Sequence, residues 1–276
     1  MTTTMTAPRP RGARRDFAAR YGPWAVVTGA SSGIGQEFAR QLAAAGLSLV
    51  VVARRRDRLD ALAAELAAAH GVLVRVAEHD LADPASVAAL ATAVAALDVG
   101  LVVNNAGAGL KGAFVEHDPA ELRRIIELNC QAPVALTRAL APGLVRRGRG
   151  GVIVVASTGG LQGLPWSTIY GASKGFDLLF GEGLRPELAV HGVDVLTLAP
   201  GGTDTEGPRR TGVDLARVKL MPVAPVVRAA LAGLGRRSLV IPGATNKLAS
   251  LVLRLVPRAV AARAAGRIMQ RVTRTP

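Results

Sequence analysis

The sequence predicts an α/β fold, a single domain in which a doubly wound parallel sheet of about seven strands carries helices on both faces. Three observations predict it. Seven short aliphatic runs have the length and composition of buried strands. Alanine- and leucine-rich stretches with helical spacing separate these runs, which is the alternation that covers a parallel sheet on both sides. The 276 residues, half of them hydrophobic, are enough for one large core.

The predicted elements follow each other without a linker. The strands are, in chain order, WAVVTG, LSLVVVA, VLVRVA, GLVVNN, GVIVVAS, VDVLTLAP and SLVIPG. Helical spacing is clearest over residues 58–69, 84–97 and 119–147, and the last of these is long enough to cross the whole sheet. Since composition does not change within residues 24–243, we predict one domain spanning residues 23–243.

Both ends of the chain are basic, and the body between them carries only +3 of the net charge of +14. Residues 1–22 contain no apolar core of a secretory signal, so they are predicted to form a disordered basic arm. Residues 244–276 hold seven basic residues and no acid, and we predict a basic amphipathic helical tail there. Such a helix can lie on an anionic membrane, cover a hydrophobic seam or dock a partner subunit, and these alternatives remain open. Its apolar stripe consists of Leu248, Leu251, Val252, Leu255 and Val256.

Several function classes are disfavoured by composition. A charge excess confined to the ends, without a zinc-finger or RNA-binding signature, argues against specific nucleic-acid binding. The single cysteine, Cys130, cannot form a disulfide within the chain, which favours a reducing cytoplasm, with a peripheral membrane position as the alternative. The four histidines have no metal-ligand spacing, so no metal site is expected. No charge-free apolar run approaches the roughly 20 residues that span a bilayer.

A glycine-rich turn follows the first strand. In VVTGASSGIGQEFARQLAAAG the glycines have the spacing G-x-x-x-G-x-G and open a helix. Glycine lets the backbone approach a diphosphate closely, while the helix N-terminus supplies unpaired N–H groups and partial positive charge. This turn therefore predicts a nucleotide site. The cofactor-binding residues expected here are Gly29, Ser31, Ser32, Gly33, Ile34 and Gly35.

The second strand ends in three arginines. A site for NAD commonly has an acid here for the ribose hydroxyls, whereas an arginine accommodates the 2′-phosphate of NADP. This chain has Arg54, Arg55 and Arg56, and no acid before Asp57. A guanidinium can bind phosphate in bidentate fashion. We therefore predict NADP(H) rather than NAD(H), with Arg54 as the first candidate and Arg55 as the second; solvated charges at a helix start are the alternative.

The next two strands end in further candidates. Asp80 after the third strand could accept a hydrogen bond from the adenine amino group, with Leu81 beside it, or it could cap a helix. Asp83 fits the cap better because a proline follows it. The fourth strand runs into NNAGAG, whose small residues would let a cofactor lie against the backbone. The candidates there are Asn104, Ala106 and Gly107.

A tyrosine and a lysine stand four positions apart in TIYGASKGF. On a helix, Tyr170 and Lys174 share one face, so the phenol and the ammonium could act as a pair. The alternative is an ordinary polar helix face. Ser157 ends the fifth strand, and because no G-x-S-x-G turn surrounds it, a hydrolase is not expected.

Taken together, these motifs resemble the classical form of the short-chain dehydrogenase/reductase family. The matching features, in the family's order over residues 24–243, are TGASSGIG, NNAG, Asn129, Ser157, YGASK and PGGTDT. The resemblance implies a Rossmann-type fold and an oxidoreductase that interconverts a ketone or aldehyde and an alcohol with a nicotinamide cofactor. It also implies assembly as a homodimer or homotetramer.

The resemblance assigns roles to four catalytic candidates. Tyr170 would donate or accept the proton, and the charge of Lys174 would favour the ionised phenol while its ammonium binds the cofactor ribose. Ser157 would hydrogen-bond the substrate oxygen. Asn129 would help a water relay from Lys174 to solvent, and Cys130 beside it fits a small core residue better than a nucleophile. The cofactor residues implied in the last motif are Pro200, Gly201, Thr203 and Thr205.

The substrate is expected to be apolar with one carbonyl or alcohol. In the family it is bounded by the loop after Ser157, which here offers Leu161, Leu164, Pro165 and Trp166. A mobile lid is expected at 205–221, where Arg209 or Arg210 could meet an acidic group. The rival hypothesis is a non-catalytic NADP(H)-binding redox sensor with the same fold.

Overall fold

A seven-stranded parallel sheet forms the centre of the computed structural model, which describes residues 11–207 and 220–272. Its order is β3-β2-β1-β4-β5-β6-β7, and every neighbouring pair is parallel. Each of the seven predicted strands is present, and the predicted α/β class is confirmed. The strands are β1 (Trp24–Thr28), β2 (Ser48–Ala53), β3 (Val74–Glu78), β4 (Val99–Asn104), β5 (Gly150–Val155), β6 (Val193–Leu198) and β7 (Leu239–Val240).

Helices connect successive strands. A π-helical turn at Glu127–Gln131 joins α5 to α6, so the long helix predicted over 119–147 is continuous but locally widened. The helices are α1 (Arg11–Tyr21), α2 (Gly33–Ala44), α3 (Arg56–His70), α4 (Pro84–Val94), α5 (Pro119–Ile126), α6 (Ala132–Arg147), α7 (Thr168–Ala189), α8 (Val223–Gly233), α9 (Ala244–Leu255) and α10 (Arg258–Val272).

The core consists of one apolar layer on each face of the sheet. Successive strand residues point to opposite faces, so Val27 joins one layer and Val26 the other. The first layer packs against α2, α3 and α8, and the second against α4, α6 and α7. Burial on both faces explains why the central strands read as continuous aliphatic runs.

The sheet order creates a crevice at the carboxyl end of β1 and β4. These strands are neighbours, with Val26 paired to Val102, yet the chain leaves β1 toward β2 on one side and leaves β4 toward β5 on the other. Loops that diverge from adjacent strand ends leave a gap between them. The glycine-rich turn follows β1 and the NNAGAG segment follows β4, so both motifs meet at this gap.

The prediction that residues 1–22 form a disordered arm is wrong for the second half of that segment. Residues Arg11–Tyr21 form α1. Tyr21 is buried, and its hydroxyl donates a 2.6 Å hydrogen bond to Oδ2 of Asp194, which also accepts from Arg20 at 2.7 Å. The partner stands in β6, 173 residues later, so local sequence could not show what anchors this helix. Residues 1–10 lie outside the described ranges.

The predicted helical tail consists of two helices. Helix α9 ends at Leu255 and α10 begins at Arg258. Pro257 lies between them, and the break is expected because proline has no backbone N–H to donate within a continuous helix. In the two ranges that the structure describes, no helix is both long and apolar enough to cross a membrane.

Candidate active site

A cavity of about 730 Å³ opens at the carboxyl ends of the central strands. Its volume is in the range of small-molecule and cofactor sites. Most residues predicted from sequence line it, although they come from seven different segments of the chain. Those lining residues are Gly29, Ser31, Ser32, Gly33, Ile34, Arg54, Arg55, Asp80, Leu81, Ala106, Gly107, Ser157, Tyr170, Lys174, Pro200, Gly201, Thr203 and Thr205.

The turn before α2 has the shape of an anion cradle. Gly33 has a φ of +58°, and a Cβ built on it would lie 2.9 Å from Cγ2 of Thr205. A Cβ at Gly35 would lie 2.4 Å from the carbonyl oxygen of Gly29. The first turn of α2 also lacks a side-chain cap from Ser32. Free N–H groups and glycine backbone therefore face the cavity, and this arrangement fits the diphosphate of a dinucleotide.

Arg55 is the arginine that reaches over this cradle. Its guanidinium donates to Oγ of Ser31 at 2.9 Å and to Oγ of Ser32 at 2.8 Å. The carboxylate of Glu206 joins it at 2.7 Å and also contacts Arg58. Hydrogen bonds from Arg55 and then Arg58 lower the pKa of Glu206 to about 2. An acidic side chain thus bridges two arginines at the position where a cofactor phosphate was expected.

Asp80 is already engaged by protein groups. Its Oδ2 accepts from Arg124 at 2.6 Å, and its Oδ1 accepts from the N–H of Ala82 at 3.1 Å. Burial acts to raise the pKa of Asp80, but these two bonds outweigh it and the pKa lies below its ordinary value. Asp83 caps α4, as predicted from the proline that follows it: its Oδ1 accepts from the N–H of Ala85 at 3.0 Å. Arg54 is exposed at the cavity rim.

Ser157 and Tyr170 face each other across Gly159. A Cβ built at Gly159 would lie 3.4 Å from Oγ of Ser157 and 3.7 Å from Cε1 of Tyr170. Ser157 follows β5 and caps the short helical turn after it, accepting from the N–H of Gly159 at 3.0 Å. Within the described part of the chain, the phenol of Tyr170 has no hydrogen-bond partner. Both residues line the same cavity.

Lys174 is buried and belongs to an ion pair that the sequence analysis missed. Its Nζ donates to Oδ2 of Asp177 at 2.8 Å and to the carbonyl of Val155 at 2.8 Å. Burial acts to lower the pKa of Lys174, but the carboxylate of Asp177 and the neighbouring Tyr170 outweigh it, and the net direction is upward. Lys174 is therefore a cation at neutral pH, one helical turn from the phenol.

Asn129 lies behind the cavity wall, in the π-helical turn. Its Oδ1 accepts from the N–H of Ala108, and its Nδ2 donates to the carbonyl of Ala108 and to Oγ of Ser173, all at 2.9 Å. A Cβ at Gly107 would lie 3.3 Å from both Oδ1 of Asn129 and Nζ of Lys174. The side chain of Asn129 thus fastens the loop after β4 to α7. Single π-turns are frequent at functional sites.

Two further predicted residues are not on the cavity wall. The side chain of Asn104 donates to Oγ1 of Thr137 at 2.8 Å and points away from the cavity, because a buried amide needs a partner. Its neighbour Asn105 lines the cavity instead and donates to the carbonyl of Thr28 at 2.8 Å. Gly35 lies beneath the wall and allows the turn to close.

The substrate half of the cavity is lined largely by apolar side chains. Leu161 and Leu164 line it as expected, whereas Pro165 and Trp166 do not. Trp166 has a φ of +63°, and its carbonyl accepts from the N–H of Gly112 at 2.9 Å. The predicted lid falls mainly on 208–219, outside the described residues, as do Arg209 and Arg210. The tail contributes Asn246, Ala249, Ser250, Leu253, Ala265, Ile268 and Met269 to the wall.

Lys111 supplies a cation to the substrate half of the cavity. Lys111 lines the cavity, and burial lowers its pKa below the ordinary value. Cys130 is not an activated nucleophile. Burial raises the pKa of its thiol to about 11, so the thiol is protonated at neutral pH. Among the described residues, no group of His, Cys, Asp and Glu could hold a metal ion.

The residues that sequence reasoning missed had signals of unequal strength. Asp177 stands three positions after Lys174 on the same helix, so its pairing could have been predicted from spacing. Lys111 lies two residues after the NNAGAG motif, but the local sequence does not indicate that its side chain lines a cavity. Glu206 and the lining residues of α9 and α10 depend on tertiary packing and carry no local signal.

Comparisons with known proteins match most of the chain to dehydrogenases and reductases. The family model described as "short chain dehydrogenase" matches residues 23–214. "Dehydrogenase/reductase SDR family member 7B" of Bos taurus is 38% identical over 183 residues, 64% of this chain and 56% of its own length. "Very-long-chain 3-oxoacyl-CoA reductase" of Podospora anserina is 39% identical over 181 residues, 64% of this chain and 53% of its own. The chain thus spans little more than half of these two relatives.

A solved structure extends the comparison over more of the fold. The short-chain dehydrogenase from Sphingobium yanoikuyae, described in complex with NADPH, is 34% identical. The match covers 86% of this chain and 98% of that one, with a TM-score of 0.77. The likeness therefore extends over most of the chain.

Proposed function

Because the chain belongs to the short chain dehydrogenase family, we propose that it is an NADP(H)-dependent oxidoreductase. It interconverts a ketone or aldehyde and an alcohol on a largely apolar substrate. One observation carries the proposal: the hydroxyls of Ser157 and Tyr170 and the buried cation of Lys174 meet on one wall of a cavity that also contains the glycine cradle.

The arginines at the end of β2 support the choice of NADP(H). Arg55 stands over the cradle and pairs with the carboxylate of Glu206, so an anionic group already contacts this guanidinium. The 2′-phosphate of NADP would replace that carboxylate on the guanidinium. No acid from the end of β2 occupies the place of the ribose partner, since Asp57 lies exposed in α3. The NADPH complex of the Sphingobium yanoikuyae relative agrees with this choice.

The protein groups supply proton transfer and charge stabilisation. When bound, the nicotinamide supplies the hydride in the reductive direction. Tyr170 donates its phenolic proton to the carbonyl oxygen, and Ser157 hydrogen-bonds the same oxygen as negative charge develops there. The positive charge of Lys174 stabilises the phenolate that remains. In the oxidative direction the same phenolate accepts the proton of the alcohol.

Asn129 contributes by holding structure. Both ends of its amide are used by Ala108 and Ser173, so a water chain leading from Lys174 would have to use its main-chain carbonyl. Asp177 accepts a 2.8 Å hydrogen bond from Nζ of Lys174 and so holds the ammonium in place. These two residues position the lysine and the loop after β4 without touching the substrate.

The cavity wall supports an apolar substrate body. Leu161, Leu164, Leu253 and Met269 surround the space beyond Tyr170, and burying a carbon chain there releases water from apolar surface. One of the two relatives above is named a very-long-chain 3-oxoacyl-CoA reductase, and a very long acyl chain is an apolar group of the kind that this cavity wall would bury. The ammonium of Lys111 would bind an anionic or strongly polar substituent of such a substrate.

Self-association is proposed through α5 and α7. Phe176 and Leu179 of α7 and Ile126 of α5 are exposed, and Phe176 stacks on Phe180 with ring centroids 5.9 Å apart. A second copy would cover this apolar face. Leu179→Glu should then convert a dimer or tetramer to a smaller species in size-exclusion chromatography with light scattering.

The direct test is turnover with a panel of ketones. Purified protein should oxidise NADPH with apolar ketones of increasing size, and more slowly with hydrophilic ones of equal size. Binding of NADPH without turnover of any ketone, and without reduction of NADP by any alcohol, would instead indicate the redox-sensor alternative. Retention of neither nucleotide would contradict both.

A further inference from the structure

Helix α9 carries an apolar stripe that the fold does not bury. Leu248, Leu251, Val252 and Leu255 recur at positions i, i+3, i+4 and i+7, the spacing of one helix face. Their exposed fractions are 64%, 57%, 49% and 83%. We call these four side chains the outer stripe. Contiguous exposed leucines are unusual on a protein without a partner.

The opposite side of the same helix lines the cavity. Asn246, Ser250 and Leu253, at i, i+4 and i+7, belong to the cavity wall. At about 100° per residue, these positions lie on the far side of the helix from the outer stripe. Helix α9 is therefore held against the protein by one face, and the outer stripe has no structural task within the described chain.

Positive charge flanks the outer stripe. Lys247 and Arg254 lie beside it on α9, and Arg258 begins α10. Within the described residues, none of these three cations forms an ion pair. The whole of 244–276 contains seven basic residues and no acid. Exposed leucines bordered by unpaired cations are the pattern of a helix that lies on anionic lipid.

We propose that the outer stripe docks on an anionic membrane surface. Leucine side chains would enter the boundary between headgroups and acyl chains, and the flanking cations would contact lipid phosphates. A second copy of this chain is a poorer occupant, because pairing two acid-free surfaces would bring like charges together. This surface is separate from the face of α5 and α7 assigned above to self-association.

Docking would place the cavity close to the lipid. Met269 of α10 lines the cavity, and Ile268 beside it lines the cavity while remaining 59% exposed, so it stands at the rim. An apolar substrate dissolved in the bilayer would then pass between the tail helices and the loop around Leu164. This consequence rests on the proposed function, whereas docking itself does not.

Vesicle flotation of the full-length protein tests docking. The wild type should float with vesicles of phosphatidylcholine mixed with phosphatidylglycerol, and much less with phosphatidylcholine alone. Leu255→Glu should weaken binding to the mixed vesicles at least about tenfold, because it places a carboxylate in the apolar boundary. Arg254→Gln should weaken it about fivefold. Leu73→Glu, at a site 67% exposed and far from the tail in sequence, is the matched control and should bind as the wild type does.

Three results would overturn the proposal. They are a wild type that does not float with the mixed vesicles, a Leu255→Glu variant that floats equally well, and a Leu255→Glu variant whose assembly in solution falls apart without lipid. The last would assign the stripe to a second copy. Turnover of a short, water-soluble ketone separates the two proposals, since Leu255→Glu should retain it. A wild type that docks but turns over no ketone would leave docking standing and remove the proposed function.

Discussion

The two halves of the cavity are built by different means. In the cofactor half, residues at neighbouring strand ends bind each other directly: the side-chain Oγ1 of Thr28, at the end of β1, accepts from the N–H groups of Asn105 at 2.9 Å and Ala106 at 3.0 Å, just after β4. In the substrate half, the wall comes from segments far apart in the chain, such as the loop at 161–164 and the helices α9 and α10. The first half is fixed by the sheet itself, and the second by how helices pack over it. A change in the first half should therefore affect stability and cofactor binding together, and one in the second should affect substrate choice alone.

The largest effect is expected from breaking the buried pair beneath the cofactor half. Asp177→Asn leaves Lys174 buried without its anion, which should lower the free energy of unfolding by about 3–5 kcal/mol. It should also move the alkaline limb of the kcat/KM profile to lower pH, because the pKa of Lys174 is raised by that carboxylate. Chemical denaturation and the pH profile measure the two effects.

An exposed ion pair provides the control for this change. Asp60→Asn removes the partner of Arg56 in a solvent-exposed pair of i,i+4 spacing, and it should cost less than about 0.5 kcal/mol. Equal stability losses in both variants, or an unshifted pH profile in Asp177→Asn, would contradict the assigned role of Asp177.

A smaller effect is expected from filling the glycine cradle. Gly35→Ala places a Cβ 2.4 Å from both the carbonyl of Gly29 and Nδ2 of Asn105. Overpacking of this kind costs about 1–3 kcal/mol and should also weaken NADPH binding, as measured by fluorescence titration. Gly183→Ala on α7 is the control, since its Cβ meets no atom within 4 Å and alanine favours a helix. If Gly35→Ala retained wild-type NADPH affinity, the cradle would not be the diphosphate site.

Arg55 tests nucleotide choice within the cofactor half. Arg55→Ala should weaken NADPH binding about tenfold to a hundredfold, since a charged hydrogen bond contributes about 1.5–3 kcal/mol. NADH binding should change little. Arg56→Ala is the matched control because Arg56 pairs with Asp60 on the exposed side of α3. Equal losses for NADPH and NADH in Arg55→Ala would place the 2′-phosphate elsewhere.

The smallest effect is expected in the substrate half. Leu253→Ala widens the wall formed by α9 and should raise KM for bulky apolar ketones severalfold, while the affinity for NADPH stays constant. Leu251→Ala, on the outer stripe of the same helix, should leave KM for a soluble ketone unchanged. Steady-state kinetics with a large and a small ketone separate these outcomes, and a parallel loss of NADPH affinity in Leu253→Ala would contradict the independence of the two halves.

The cofactor half could be predicted from sequence because its geometry is local. Each strand is a continuous aliphatic run, and each motif directly follows a strand, so parallel order alone brings Gly33, Asp80 and Gly107 to one edge. Tyr170 and Lys174 share a face by helical spacing. The prediction for Asn104 was wrong, because its side-chain amide donates to Thr137, 33 positions later in α6, and does not line the cavity.

The substrate half could not be predicted in the same way. The tail pattern alone allowed a membrane helix, a hydrophobic cover or a subunit contact, and the structure shows that α9 lines the cavity with one face while exposing the other. Asn246 sits against Gly201, where a Cβ would lie 2.5 Å from its Nδ2, and no pattern within either segment indicates this contact. The same holds for the contact of Tyr21 with Asp194.

Replacement of the Tyr170 hydroxyl tests the central claim most directly. Tyr170→Phe keeps the ring and its packing but removes the proton donor, so kcat should fall about a hundredfold to ten-thousandfold while the Kd for NADPH stays within about twofold. Single-turnover rates and fluorescence titration on the same preparation give both values. A variant that binds NADPH and reduces the ketone as fast as the parent would contradict the account.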